Sequence, residues 1–378
     1  MIAVREDLRS QSLDLLRFPL AIVIVAVHVF NSEAIIIQDK VYDVGSIPLY
    51  RDFLMFVDGF LRGISVPVYF FISGYVFFYG INQFSKDVYV KKLKNRIFTL
   101  LIPFIIWNIP DMVIGLGKYA FSGLLPLSTY GVEVNLTLNN ILSCFWKYNG
   151  ELFVPITPSG ERIIGASAFP LNVPLWFLRD LIVVAICTPI IHFVIKYTKY
   201  FFIVALAILS FIPNIDIPFL GSFLFFSIGA YLSINKKDMV EEFGRYFKIS
   251  MIIYPLFSLM SIIATKENCV ILSGIFKQIS IFGFLVFAYN VSIYILENTN
   301  IRPGKILPSA SFFIYVSHVL IFARVTKVMF MLIKPNNGIE TISAYTLSII
   351  VTVLSLLTVF LFMKKYTPRI LQIVTGRK

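Results

Sequence analysis

Residues 13–30 read LDLLRFPLAIVIVAVHVF, an apolar run broken only by the ionisable side chains of Asp14, Arg17 and His28. About 20 apolar residues in a helix match the hydrocarbon thickness of a bilayer. A helix also satisfies its own backbone hydrogen bonds where no water can. Working outward, similar runs fall near residues 13–34, 54–81, 97–117, 174–195, 200–215, 218–234, 248–265, 269–296, 309–333 and 342–363. The pattern predicts an all-α integral membrane protein, a bundle of about ten transmembrane helices. The pair 200–215 and 218–234 is short and joined around Pro213 and Pro218, so a re-entrant hairpin is the alternative there. Composition agrees: 58% of the 378 residues are hydrophobic, 14% are charged, and mean hydropathy is +0.82. A soluble domain carries about 25% charged residues.

Net charge is +12. Short loops hold most of it, which makes it topological charge rather than a nucleic-acid surface. With the N-terminus inside, 20 of the 33 Lys and Arg fall on the cytoplasmic side, 9 on the opposite side and 4 within apolar runs. Both termini are therefore expected to be cytoplasmic. The opening MIAVREDLRSQS lacks the layout of a cleaved signal, so the first run is expected to remain as a span. Residues 1–378 are expected to form one transmembrane domain with a single long extracytoplasmic loop, 118–173, and no appended soluble domain. Cys144, Cys187 and Cys269 form no metal or redox framework, although Cys144 and Cys269 fall on the same outer side, which leaves a disulfide between them open. No metal-binding spacing, phosphate-cradling glycine loop or GxSxG is present.

Ionisable groups inside spans are costly and mark function. Arg17 and His28 lie eleven residues apart, three helical turns plus about 20°, on one face and separated by a rise of about 16 Å. Arg17 snorkelling to lipid and His28 packing in the core is the structural alternative. In FVDGFLRGISVPVYFFISGYVFF (56–78), Asp58 and Arg62 have pairing spacing, and Ser73-Gly74 permits close helix approach. YVKKLKNRIFTLLIPFIIW (89–107) puts Lys91, Lys92, Lys94 and Arg96 at the inner mouth. PLWFLRDLIVV (174–184) carries Trp176, Arg179 and Asp180; the adjacent charges point about 100° apart and each is expected to find its own cross-helix partner. In SASFFIYVSHVLIFARV (309–325), Tyr315 and His318 share a face, with His318 expected near mid-membrane of one span. His192 reads as structural, and Lys277 has no role beyond a possible ion pair.

Taken in order, LDLLRFPLAIVIVAVHVF, VPVYFFISGY, KKLKNRIFTLLIPFIIW, PLWFLRDL, FFSIGAYLS and SASFFIYVSHVLIF resemble the membrane-bound acyltransferase-3 family, over roughly residues 12–325. The resemblance implies ten helices in a bacterial cytoplasmic (inner) membrane. It also implies transfer of an acyl group, usually acetyl, from cytoplasmic acyl-CoA to a hydroxyl of a surface or lipid-linked glycan such as O-antigen, capsule or exopolysaccharide. It makes Arg17 and His28 the essential pair and matches Ser73-Gly74, Trp176, Arg179, Asp180, Tyr315 and His318.

On that basis Arg17, Lys94 and Arg96 are expected to hold CoA phosphates, and Arg62 and Ser73 to contact the donor. His28 is the candidate general base on the acceptor hydroxyl, with an acyl-imidazole intermediate as the competing mechanism. Asp180, Tyr315 and His318 are expected to orient or polarise, and Trp176 and Arg179 to meet the acceptor. Acyl-CoA, a carbohydrate acceptor and membrane lipids are the expected partners, with no metal and no nucleic acid. Oligomeric state, acceptor sugar and acetyl versus succinyl donor stay open. A multi-pass transporter of a polyanionic or sugar substrate is the rival class, since polar groups facing a bundle interior also describe transport paths.

Overall fold

The structure, a computed structural model, describes residues 2–376 except 32, 38–39, 122–130, 157–160, 163 and 214–216. The first apolar run forms one helix, α1 (Ile2–Val29), which continues through Pro19. A short hairpin follows, β1 (Ile35–Ile37) and β2 (Lys40–Tyr42). Then come α2 (Pro48–Phe60), with proline in its first turn where no N–H is needed, and α3 (Ser65–Phe78). Gly63, at φ +81°, makes the turn between them. The basic helix α4 (Lys86–Arg96) runs through a π-helical turn, Ile97–Leu101, into α5 (Ile102–Phe121).

The long loop is folded where it is described. It holds β3 (Gly131–Val134), α6 (Leu138–Ser143) and β4 (Phe153–Ile156), with β3 and β4 antiparallel. The remaining elements are helical: α7 (Trp176–Ile186), α8 (Thr188–Thr198), α9 (Phe201–Ser210), α10 (Leu220–Ile234), α11 (Met239–Gly244), α12 (Phe247–Lys266) and α13 (Val270–Asn298). They end with α14 (Leu307–Ser317), α15 (Val319–Ile333), α16 (Gly338–Tyr366) and α17 (Pro368–Thr375).

The protein is a helical, multi-pass membrane protein. Among the described residues, six helical segments are long and apolar enough to span: 7–29, 48–78, 86–117, 247–266, 270–298 and 338–366. Two helix pairs, α7–α8 and α14–α15, bring the number to eight if each counts as one span. α9 and α10, with 10 and 15 residues, are shorter than a bilayer crossing. Two expected spans are thus not straight. The run 174–195 breaks at Cys187, where Pro189 in the first turn of α8 has no N–H to continue a helix. The run 309–333 bends by 81° between α14 and α15, with His318 at the corner. His318 therefore stands at a corner between two helices and not within a continuous one. No proline or glycine marks this bend, so the sequence carried no signal for it.

Contacts divide the chain into two compact units, Met1–Lys92 with Ile186–Thr358, and Leu93–Ala185 with Val359–Lys378. In the first, α3 and α10 pack backbone to backbone. A β-carbon at Gly74 would overlap the Phe226 carbonyl oxygen, and one at Gly229 would overlap that of Phe71. The pairs 74–226 and 82–236 ascend together, so the two helices are parallel. α12 and α13 form an antiparallel hairpin, closed at its turn end by Ser261, Thr265 and Ser273 hydroxyls. α1 packs on α13 and α14.

In the second unit, α17 lies on α5, where Trp107 Nε1 donates to the Val374 carbonyl oxygen at 2.8 Å. Buried Asn172 ties the loop to α5: its side chain donates to the Trp107 carbonyl oxygen, and its N–H donates to Asn108 Oδ1. Such bonds satisfy polar groups that burial would otherwise penalise.

Candidate functional site

The first unit gathers most of the intramembrane charge around the end of α1. Within one uninterrupted helix, Arg17 and His28 keep the expected rise of about 16 Å. Arg17 pairs with Asp14 one turn earlier, at 2.7 Å. Asp14 belongs to the site description and was legible in LDLLR as an i,i+3 partner. Tyr69 on α3 donates its hydroxyl to the Arg17 carbonyl oxygen at 2.6 Å, which ties α1 to α3 at this depth.

His28 packs against His318, with ring centroids 5.2 Å apart. His318 is fully buried at the α14–α15 corner. Its Nδ1 lies 2.7 Å from the Tyr315 carbonyl oxygen. A carbonyl oxygen only accepts, so Nδ1 carries the proton and donates. In the neutral ring this leaves Nε2 with its lone pair. Among the described residues, Nε2 is buried without a hydrogen-bond partner. Two imidazoles, one with a fixed tautomer, thus share a site assembled from residues 290 positions apart in sequence.

Beside them, Arg62 pairs with Asp58 at 2.5 Å and lies within electrostatic reach of His28. Lys277, from α13, donates to the carbonyl oxygens of Asp58 and Gly59, both at 2.7 Å. Tyr254, from α12, donates to that of Phe60 at 3.0 Å. The last carbonyls of a helix lack intrahelical partners and carry the negative end of its dipole. Lys277 is therefore a cationic cap that fixes the end of α2, and through it the Asp58–Arg62 pair. Its i,i+4 partners gave no clue to this, because the acceptors are main-chain atoms 219 and 218 residues away. Ser73 lies on α3 beside Gly74, in the helix contact with α10.

The second unit holds the other expected residues. Lys94 is exposed on α4 and Arg96 is half-buried at its end. Trp176 opens α7 with its ring 6.1 Å from that of Phe169. Arg179 and Asp180, despite their 100° offset, also meet each other. They pair with each other at 2.9 Å, with side chains 11% and 7% exposed. The long arginine side chain and its planar fork can reach the next residue's carboxylate. The same guanidinium donates to the carbonyl oxygens of Trp146 and Ala168, at 2.8 and 3.2 Å, and lies over the Trp146 ring. Arg179 thus pins two points of the loop to α7.

These features define a multi-pass membrane protein with two packed imidazoles, one fully buried and one partly exposed, beside an exposed arginine–aspartate pair. A family model described as an acyltransferase domain, of the acyltransferase-3 type, matches residues 10–362. The chain belongs to this family. A curated relative is the succinoglycan biosynthesis protein ExoH of Rhizobium meliloti (strain 1021), 30% identical over 205 residues, covering 50% of this chain and 46% of that protein. The match therefore spans about half the length of that relative. No solved structure matches the chain.

Proposed function

We propose that the protein transfers an acyl group, acetyl in the first instance, from cytoplasmic acyl-CoA to a hydroxyl of an extracytoplasmic or lipid-linked glycan. Family membership supports acyl transfer, and a relative named for succinoglycan biosynthesis supports a carbohydrate acceptor. The observation that carries the assignment of chemistry is the contact of His28 with the tautomer-fixed His318.

In this reading the acceptor oxygen attacks the thioester carbonyl carbon while its proton passes to a His28 nitrogen. The carbonyl becomes an oxyanion, which the charge of Arg62 stabilises in this reading. Collapse breaks the carbon–sulfur bond. The sulfur leaves as thiolate and takes the proton from His28, giving free CoA and an ester. Tyr315 and His318 hold His28, and Arg17 offers its charge to the donor. Asp180 and Arg179, with Trp176, act through the loop they anchor. The reading takes the chain across a bacterial inner membrane about ten times, with the short α9 and α10 either as two crossings or as a re-entrant hairpin and with both termini cytoplasmic in either case. The 20 to 9 distribution of Lys and Arg supports that orientation.

The test is His28→Ala, with mass spectrometry of surface glycans from cells that carry it. We expect the acyl group to disappear while the protein remains folded and inserted. Normal acylation would overturn the assignment. Purified wild-type protein incubated with labelled acetyl-CoA separates transferase from transporter, because a transporter gives neither hydrolysis nor transfer.

A further inference from the structure

The parallel helices α3 and α10 end side by side, and the residues just past their ends enclose, with α1, a half-open cavity of about 500 Å³. That volume lies in the range of about 300–1,000 Å³ usual for small-molecule sites. Its walls combine cations and aromatic rings. Arg9 lies over the Tyr79 ring at 4.2 Å, and the Tyr75 and Tyr79 rings stack at 5.8 Å. Lys236 Nζ reaches across to Asn82 Oδ1 at 3.3 Å, and Lys237 pairs with Glu242 at 3.0 Å. Arg9, Lys236 and Lys237 line the cavity together with one carboxylate, Asp238.

The end of α10 fixes the backbone at Lys236. α10 closes with N–H bonds from Lys236 to the Ser233 carbonyl and from Lys237 to that of Leu232. This pattern places its first post-helical residue in the left-handed region and usually selects glycine there. Here that residue is Lys236, at φ +53°. The neighbouring α3 uses Gly80, at φ +73°, just past its own end. Lys199 and Lys334 also take a positive φ past the ends of α8 and α15, at +53° and +51°, so the conformation makes Lys236→Gly a benign substitution and carries no argument about the charge itself.

We propose that this cavity binds the phosphorylated nucleoside end of the acyl donor, with Arg9, Lys236 and Lys237 meeting phosphate and Tyr79 meeting the base. Planar cations and ammonium groups suit phosphate oxygens, and aromatic rings stack on bases of any identity. The proposal rests on the reading of acyl-CoA as donor. On that reading the cavity opens on the cytoplasmic side, with Arg9 about 28 Å before His28 along α1. Arg17, which is paired to Asp14, lies between them.

The experiment measures binding of adenosine 3′,5′-bisphosphate to the purified full-length protein by calorimetry. Glycerol 3-phosphate serves as the headgroup probe and inorganic phosphate as the bare anion. Lys236→Gly is the informative variant, since glycine removes the charge and relieves the backbone. We expect an unchanged or higher Tm and an affinity for the bisphosphate lower by about tenfold, the scale of one lost charge-assisted contact. Tyr79→Leu should weaken the bisphosphate and leave inorganic phosphate unaffected. Wild-type affinity in Lys236→Gly overturns the proposal. So does glycerol 3-phosphate binding as tightly as the bisphosphate, which marks a lipid-headgroup site. The two readings fail separately: His28→Ala should retain bisphosphate binding whether or not it abolishes transfer.

Discussion

At the scale of single residues, physical chemistry decides which charges are free to act. Arg179 and Asp180 are nearly buried and satisfy each other, while Arg179 also holds the Trp146 and Ala168 carbonyls. Removing one member of such a pair leaves an uncompensated charge, at a cost of about 3–5 kcal/mol. Asp180→Ala should therefore lower Tm, and limited trypsin digestion at Arg162 in the loop should accelerate. Unchanged digestion would show that the loop does not depend on this pair. The spacing of Arg17 and His28 was legible because the helical period fixes it, and the same period predicts Asp14–Arg17. The pairing of Arg179 with its immediate neighbour was not, because helix geometry alone ignores how far a long side chain can reach.

At the scale of elements, small residues and helix ends do the positioning. Gly74 and Gly229 let α3 and α10 meet through their backbones, as small residues do between membrane helices. Gly229→Leu should destabilise the protein by at least the 1–3 kcal/mol typical of overpacking, about that or more. Gly221→Ala on the same helix, where a β-carbon meets open space, is the control and should leave Tm unchanged. Equal Tm values for the two variants would contradict the backbone contact. The sequence offered Gly74 as a close-approach residue, but its partner helix came only from the fold. Lys277 is the sharper case. It looks unpaired in sequence, yet it caps α2 through two main-chain oxygens and steadies the Asp58–Arg62 pair beside His28.

For the whole molecule, the cysteines report on orientation and folding together. All three are free. Cys269 is exposed between α12 and α13, whereas Cys144 is buried in the folded loop, where burial pushes its thiol up to about 11. A raised thiol pKa means little thiolate at neutral pH, and thiolate is the reactive form. On the proposed topology both lie outside. A membrane-impermeant maleimide applied to intact cells at pH 7 should label Cys269 rapidly and Cys144 only after denaturation. Protection of Cys269 in intact cells, with labelling after lysis, would reverse the orientation.

The sequence by itself determined that this chain is a helical membrane protein, the approximate position of each apolar run, and the face that Arg17 and His28 share. Those properties depend on hydropathy and helical period, both local. The tertiary structure alone decided the 81° bend at His318, the meeting of His28 with His318, the Lys277 cap and the cavity at the ends of α3 and α10. Each of these joins residues far apart in the chain through main-chain acceptors, ring packing or helix ends. None leaves a periodic trace in the segments that contribute to it.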